Sequence, residues 1–189
     1  MRAAPEHFNE LSFRTRAGLL AAFAVWGLVL IRLDYRTGEM AGSFLHRPLL
    51  IFHEAGHVIF MPFGEWMTVF GGSLMQCLMP VVMGAALLWK NRDPFGASIG
   101  LWLLGVSLLD LAPYVYDALD PQLILLSGAT GEEGGHDWIY LLRSVGLLKR
   151  AHGLGQMVYL LGVGVIALAL GWGAELLRRQ HAHLKRAPR

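Results

Sequence analysis

Hydrophobic residues are gathered into five long runs along the chain, separated by short polar connections. A helix needs about 20 apolar residues to cross the ~30 Å hydrocarbon core of a bilayer, and the longer runs reach that length. The pattern therefore predicts an all-α, polytopic integral membrane bundle with about five membrane helices. The runs cover residues 17–31, 48–61, 69–89, 95–112 and 154–177.

The second run is the shortest and has a proline near each end. Pro48 suits the first turn of a helix, whereas Pro62 stops the helix because the residue before a proline disfavours the α conformation. A helix over residues 48–61 would be only ~21 Å long. We expect this short helix to lie below the membrane surface without matching the thickness of the bilayer core.

The chain has room for one helical bundle and no separate soluble domain, so residues 1–189 are predicted to form a single membrane domain. Gln76 and Pro80 are expected to interrupt the third span, and Asp110 and Pro113 to end the fourth. The predicted segments are a polar N-terminus (1–16), four membrane spans (within 17–112), an acidic, histidine-containing loop with a surface helix (113–153, helix at 138–148), a last span (154–177) and a basic tail (178–189).

Composition agrees with a membrane protein, because 54% of the residues are hydrophobic and only 16% are charged. That balance excludes an ordinary soluble domain. Basic residues lie at the two ends and in the short connections, as they do around membrane spans, and the positive-inside rule places the C-terminus in the cytoplasm. We expect a bacterial-type inner (plasma) membrane protein with membrane lipid as a partner and no nucleic acid as one.

The short second run contains the sequence His53-Glu54-Ala55-Gly56-His57, a His-Glu-x-x-His motif. On a helix, His53 and His57 lie one turn apart and share a face, so both imidazoles can bind one zinc ion. Ionisable residues are costly in hydrocarbon, which makes a functional role the default interpretation. Zinc lowers the pKa of a bound water to about 7. The motif thus predicts a Zn²⁺ site with Glu54 as the catalytic general base.

The acidic loop after the fourth span is the richest source of a third metal ligand. His136 and Asp137 are adjacent in it, so that the aspartate can orient the histidine or bind the metal in its place. A neutral imidazole leaves zinc with its full double charge, which favours acidification of bound water. We therefore predict His136 as the third ligand, with Asp137 beside it at the metal, ahead of Asp117 and Asp110.

A short membrane helix with this motif, followed by a span that opens with glycines, resembles the core of the site-2 protease family of intramembrane zinc metallopeptidases over residues 48–117. In that family the third ligand is an aspartate in a later motif with Asn-Pro and Leu-Asp-Gly elements. Residues 109–117 are the nearest match: Asp110 replaces the asparagine, Pro113 fits, and Asp117 is one residue out of place with no glycine after it. The resemblance implies a peptidase that acts on a membrane protein or peptide.

Two classes of function remain open from the sequence. The first is a membrane-embedded zinc hydrolase, a metallopeptidase in the first instance, with a lipid amide or ester as the other substrate. The second is a non-catalytic metal-binding or haem-binding membrane protein, in which Glu54 only supports a histidine ligand. Glu54 separates the two classes, because only hydrolysis assigns proton transfer to a carboxylate at that position.

Overall fold

The computed structural model describes residues 9–186, in which every regular element is a helix. Short 3₁₀ turns at Glu39–Gly42, Met61–Phe63, Gly131–Glu133 and Leu148–Arg150 lie between or beside the main helices. The six α-helices are α1 (Glu10–Ile31), α2 (His46–Phe60), α3 (Glu65–Trp89), α4 (Pro94–Asp117), α5 (Asp137–Ser144) and α6 (Ala151–Arg186).

Four of the described helices, α1, α3, α4 and α6, are long and apolar enough to cross a membrane. The prediction of an all-helical chain whose long helices are apolar enough to cross a membrane is confirmed. Helix α2 has 15 residues, which makes it ~22 Å long and too short to span the core. It ends at Phe60, before Pro62, as the sequence predicts.

Helix α4 forms the centre of the bundle and packs against both α3 and α6. Its Trp102 and Val106 side chains are fully buried. Glycines let its backbone approach its neighbours: a Cβ on Gly100 would lie 2.6 Å from the Cα of Gly84 in α3. On the opposite side, a Cβ on Gly105 would lie 2.6 Å from an atom of Ile166 in α6. Small residues at helix crossings are the usual way in which membrane helices pack closely.

The two internal prolines do not break their helices, contrary to the expectation that Pro80 interrupts the third span and Pro113 ends the fourth. Pro80 lacks the N–H that would bond to the carbonyl of Gln76 one turn earlier. The hydroxyl of Ser107 in α4 donates to that carbonyl instead, at 3.2 Å. Neighbouring helices commonly satisfy such groups in membrane bundles. Helix α4 continues through Pro113 to Asp117, and so reaches the region of the metal motif.

The terminal helices are longer than the hydrophobic runs that predict them. Helix α1 begins at Glu10 instead of residue 17, because the Asn9 side chain caps it by accepting the N–H of Ser12 at 2.8 Å. Helix α6 continues to Arg186 and includes most of the predicted basic tail. Residues 1–8 and 187–189, which complete the predicted polar N-terminus and basic tail, lie outside the described residues.

The predicted surface helix over 138–148 is shorter and is folded against the bundle. It corresponds to α5, which ends at Ser144 and buries Leu141 and Leu142. Leu142 packs in a small cluster with Ala118 and Ala151. This packing places the first turn of α5 over α2 and α3, where the metal motif lies.

Candidate metal centre

The two motif histidines lie side by side on the face of α2 that packs against α3. Their ring centroids are 4.9 Å apart. A glycine in α3 makes room for them, since a Cβ on Gly72 would lie 2.6 Å from the Nε2 atoms of both His53 and His57. The helices touch nearby through Gly56 and Gly71, where a Cβ on Gly56 would lie 2.1 Å from the Gly71 carbonyl oxygen. Gly56 and Gly71 therefore allow α2 and α3 to approach closely, and Gly72 leaves space for the two imidazoles.

Asp137, from the first turn of α5, completes a group of three metal-ligand atoms. Its Oδ2 lies 2.9 Å from His53 Nε2 and 3.4 Å from His57 Nε2. The three ligand atoms all fall within 4.8 Å of one another. We call these residues the His/Asp cluster. Two imidazole nitrogens and one carboxylate oxygen are a donor set that suits zinc.

Hydrogen bonds at the far side of each ring determine which nitrogen faces the cluster. The Nδ1 of His57 lies 2.9 Å from the carbonyl oxygen of Thr68, and the Nδ1 of His53 lies 3.1 Å from the Oε1 of Gln76. The amide of Gln76 is oriented in turn, because its Nε2 donates to Asp110 Oδ2 at 2.9 Å. Both Nδ1 atoms therefore face acceptors and carry a proton, so a neutral ring presents its Nε2 lone pair to the cluster.

Three hydrogen-bond acceptors thus converge on one small volume, which requires a positive charge between them. Burial raises the pKa of Asp137, but its hydrogen bonds to the two histidines outweigh burial and lower that pKa overall. Hydrogen bonding to Asp137 raises the pKa of His57 to about 9. A proton meets the requirement in the metal-free protein, and a divalent cation meets it equally well. The residues present fit a metal ion on the chemistry of the donor set.

Contacts from α3 and α4 hold Asp137 in this position. The Asp137 N–H donates to the hydroxyl oxygen of Tyr114 in α4 at 2.9 Å. The indole N–H of the next residue, Trp138, donates to the hydroxyl of Ser73 in α3 at 3.1 Å. Ser73 directly follows Gly72, the residue that makes room for the histidines. The two hydrogen bonds fix the start of α5 over the metal motif.

The structure does not bring His136 into the His/Asp cluster. Its ring is buried against Tyr114, with 4.3 Å between the ring centroids, and its Nε2 lies 3.3 Å from Asp117 Oδ2. The Nδ1 of His136 accepts the N–H of Ile139 at 3.4 Å and so caps α5. Of the four residues predicted at the metal, His53, His57 and Asp137 lie together in the structure. The fourth, His136, lies against Tyr114 and Asp117 instead.

The other two candidate ligands also have different partners. Asp117 uses its Oδ1 to accept the N–H groups of Gln122 and Leu123, at 2.7 and 3.1 Å, and thereby shapes the loop after α4. Asp110 is buried and bonds to Gln76 and His46. Neither aspartate contributes an oxygen to the His/Asp cluster.

A cavity of about 490 Å³ opens beside the cluster. Glu54 lines it together with the two motif histidines, and the charge of Glu54 contributes to the raised pKa of His57. Apolar side chains cover much of the remaining wall, among them Leu50, Leu111, Leu123 and Ile124. The arrangement places a carboxylate, three potential metal ligands and an apolar binding surface around one space.

Three residues contact the cluster in a way that the sequence does not predict: Gly72, Gln76 and Tyr114. The sequence indicates ordinary helix packing for the glycine pair near the start of α3, and it indicates an interruption of the span for Gln76. Only the tertiary contacts reveal their roles, although a glutamine within an apolar helix is a signal for a buried polar partner. Nothing in the sequence points to Tyr114.

Comparison with protein-family models, with characterised proteins and with solved structures finds no match to this chain.

Proposed function

We propose that this protein is a membrane-embedded zinc hydrolase in which His53, His57 and Asp137 hold the metal. The observation that carries the proposal is the convergence of two Nε2 lone pairs and a carboxylate oxygen, with each imidazole Nδ1 held by a separate acceptor. Ligating histidines in zinc sites use the same arrangement, in which the second ring nitrogen donates to a carbonyl or carboxylate. Three protein ligands with an open position are typical of catalytic zinc sites, whereas structural sites have four.

Glu54 is the proposed general base. When bound at such a site, zinc acidifies a water to a pKa of about 7. Glu54 follows the first ligand directly and lines the cavity, so its carboxylate is available to receive a proton there and to return it to the leaving group. A protein that only stores or transports metal has no need of a base at this position.

We propose a peptide bond as the substrate, because His-Glu-x-x-His on a helix is the motif of zinc metallopeptidases. The apolar wall formed by Leu50, Leu111, Leu123 and Ile124 favours hydrophobic side chains next to the bond that is cut. The four membrane-length helices favour a substrate in or near the bilayer. A distant relation to the site-2 proteases, a bacterial-type inner membrane location and a cytoplasmic C-terminus belong to the same proposal.

The decisive experiment measures zinc content and hydrolysis for the protein purified in detergent. The wild type should carry about one zinc per chain, as expected for a single three-ligand site. It should cleave hydrophobic peptides from a mixed peptide library. Glu54→Gln should retain the zinc and lose cleavage, because an amide keeps the shape of the side chain but cannot accept the proton.

Glu65→Gln is the matched control, since Glu65 is an exposed glutamate in the first turn of α3. It should leave both zinc and cleavage unchanged. Wild-type protein without zinc would refute the metal site, and full activity of Glu54→Gln would refute the general base. Hydrolysis of a lipid ester but of no peptide would leave the hydrolase intact and refute the peptide substrate.

A further inference from the structure

A buried network of polar side chains extends from His53 away from the metal into the bundle. It consists of Gln76 in α3, Asp110 in α4 and His46 at the start of α2, and we call it the buried network. Gln76 donates to Asp110 Oδ2 at 2.9 Å, and Asp110 Oδ1 lies 2.8 Å from the Nδ1 of His46. Gln76 is 3% exposed and Asp110 is 8% exposed. A carboxylate buried among apolar helices is costly, so a role beyond packing is the expected interpretation.

The role that we assign to the buried network depends on the two ends of the Gln76 amide, of which one accepts and the other donates hydrogen bonds. A glutamine side chain can present either its oxygen or its NH₂ group to His53, and the two orientations have nearly the same shape. If the NH₂ group faced His53, the ring would have to accept at Nδ1 and carry its proton at Nε2, which would block the metal. Asp110 prevents that orientation, because the amide oxygen of Gln76 would then face the carboxylate.

We propose that Gln76 and Asp110 are positioning residues that lock the His53 ring with its Nε2 lone pair towards the metal. Gln76 acts by accepting the Nδ1–H of His53, and Asp110 acts one step further away by fixing the amide of Gln76. The inference rests on the proposed metal site. It assigns the buried carboxylate to the control of a ligand, although the resemblance to site-2 proteases made Asp110 a candidate ligand itself.

The first test removes the acceptor. Gln76→Met has a similar volume but no oxygen, so the His53 tautomers should become mixed and zinc affinity should fall about tenfold or more, as for other residues that orient a zinc ligand. Gln76→Glu should bind zinc within about threefold of the wild type. One proton shared with Asp110 takes the place of the amide N–H, and the other oxygen of the new carboxyl group accepts the Nδ1–H of His53. Zinc affinity is measured by competition with a chromophoric chelator.

The second test separates orientation from packing. Asp110→Leu in the wild-type background allows the amide of Gln76 to turn over, so zinc affinity should again fall about tenfold. In the Gln76→Glu background the same substitution should have little effect. With Asp110 gone the introduced carboxylate no longer shares a proton, so it is ionised and presents only acceptors to His53. A purely structural role for Asp110 would weaken binding equally in both backgrounds, so the double-mutant cycle distinguishes the two roles.

Ser107→Ala is the matched control. Ser107 is fully buried and donates to the backbone carbonyl of Gln76, so it does not contact the side-chain amide that faces His53. It should lower thermal stability and leave zinc affinity unchanged. Equal losses for Asp110→Leu in the two backgrounds, or wild-type affinity in Gln76→Met, would overturn the inference.

A measurement without metal keeps failure of the proposed function separate from failure of this inference. Nitrogen-15 NMR of the histidine rings at alkaline pH reports the tautomer of His53 in metal-free protein that carries Asp137→Ala, because the Asp137 carboxylate would otherwise accept a proton from Nε2. In that background the ring should carry its proton at Nδ1, and adding Gln76→Met should give a mixture of the two tautomers. A wild-type protein that binds no zinc refutes the metal site, whereas a ring protonated at Nε2 refutes the positioning role.

Discussion

Replacing Gly72 by alanine should abolish zinc binding while the helical fold is retained. The added methyl would lie 2.6 Å from His53 Nε2 and 2.6 Å from His57 Nε2. Ordinary contact requires about 3.4 Å or more, so the rings would have to retreat by roughly 0.8 Å. Metal–ligand distances tolerate only about 0.2 Å, and the displacement would carry both nitrogens out of range together.

The expected magnitude is large for binding and modest for stability. Losing two ligands of three should weaken zinc binding by a factor of at least ~100, since disturbance of residues behind a ligand already costs about 10- to 100-fold. Overpacking by one methyl typically costs about 1–3 kcal/mol of folding free energy. We expect a bundle of this size to remain folded after such a loss. The Gly72→Ala protein should therefore purify as a folded helical protein without zinc.

Gly84→Ala is the matched control in the same helix. A Cβ on Gly84 would lie 3.4 Å from the Ala97 carbonyl oxygen, which is ordinary contact, so zinc binding should not change. Zinc content by mass spectrometry and helicity by circular dichroism measure the two effects separately. Stoichiometric zinc in Gly72→Ala would show that the two Nε2 atoms do not bind the metal and would refute the site.

Two further predictions concern the third ligand and protons. Asp137→Ala should reduce zinc affinity by a factor of ~100 or more in a chelator competition, because it removes a ligand. His136→Ala removes the cap of α5 and a ring that packs on Tyr114 but no ligand, so it should reduce zinc affinity roughly fivefold, the equivalent of about 1 kcal/mol. A loss as large as that of Asp137→Ala would identify His136 as a metal ligand. Because hydrogen bonding to Asp137 raises the pKa of His57 to about 9, zinc must displace a proton below that pH. Apparent zinc affinity should then fall about tenfold for each pH unit below about 9, and an affinity that is constant between about pH 7 and 9 would contradict this.

The sequence alone predicts the parts of the fold that depend on local pattern. Long apolar runs mark the four membrane-length helices, and Pro62 marks the end of α2, because hydropathy and backbone sterics act within a few residues. Predictions about the prolines within α3 and α4 fail for the opposite reason. Whether Pro80 breaks a helix depends on a donor from another helix, and Ser107 lies in a different span.

The candidate site also has a part that the local sequence predicts and a part that depends on tertiary contacts. The pairing of His53 with His57 is a local property, since a spacing of four residues brings two side chains to one face of any helix. The sequence offers several candidates for the third metal ligand, all far along the chain from the motif. Asp137, which the structure brings to the cluster, is 84 residues from His53. His136 is the extended N-cap residue and Asp137 is the first residue of α5, so their side chains point in different directions and only Asp137 faces the cluster.

The sequence by itself determined a membrane-length helical chain with a His-Glu-x-x-His motif in a short helix. The tertiary structure decided which residue joins the motif: the hydrogen bonds of Trp138 to Ser73 and of Asp137 to Tyr114 set the rotation of α5, and that rotation turns Asp137 inward. The partners of the His53 ring were decided in the same way, by Gln76 and Asp110 from two other helices. The physical reason is that ligand geometry depends on side-chain contacts between helices, which no local pattern encodes.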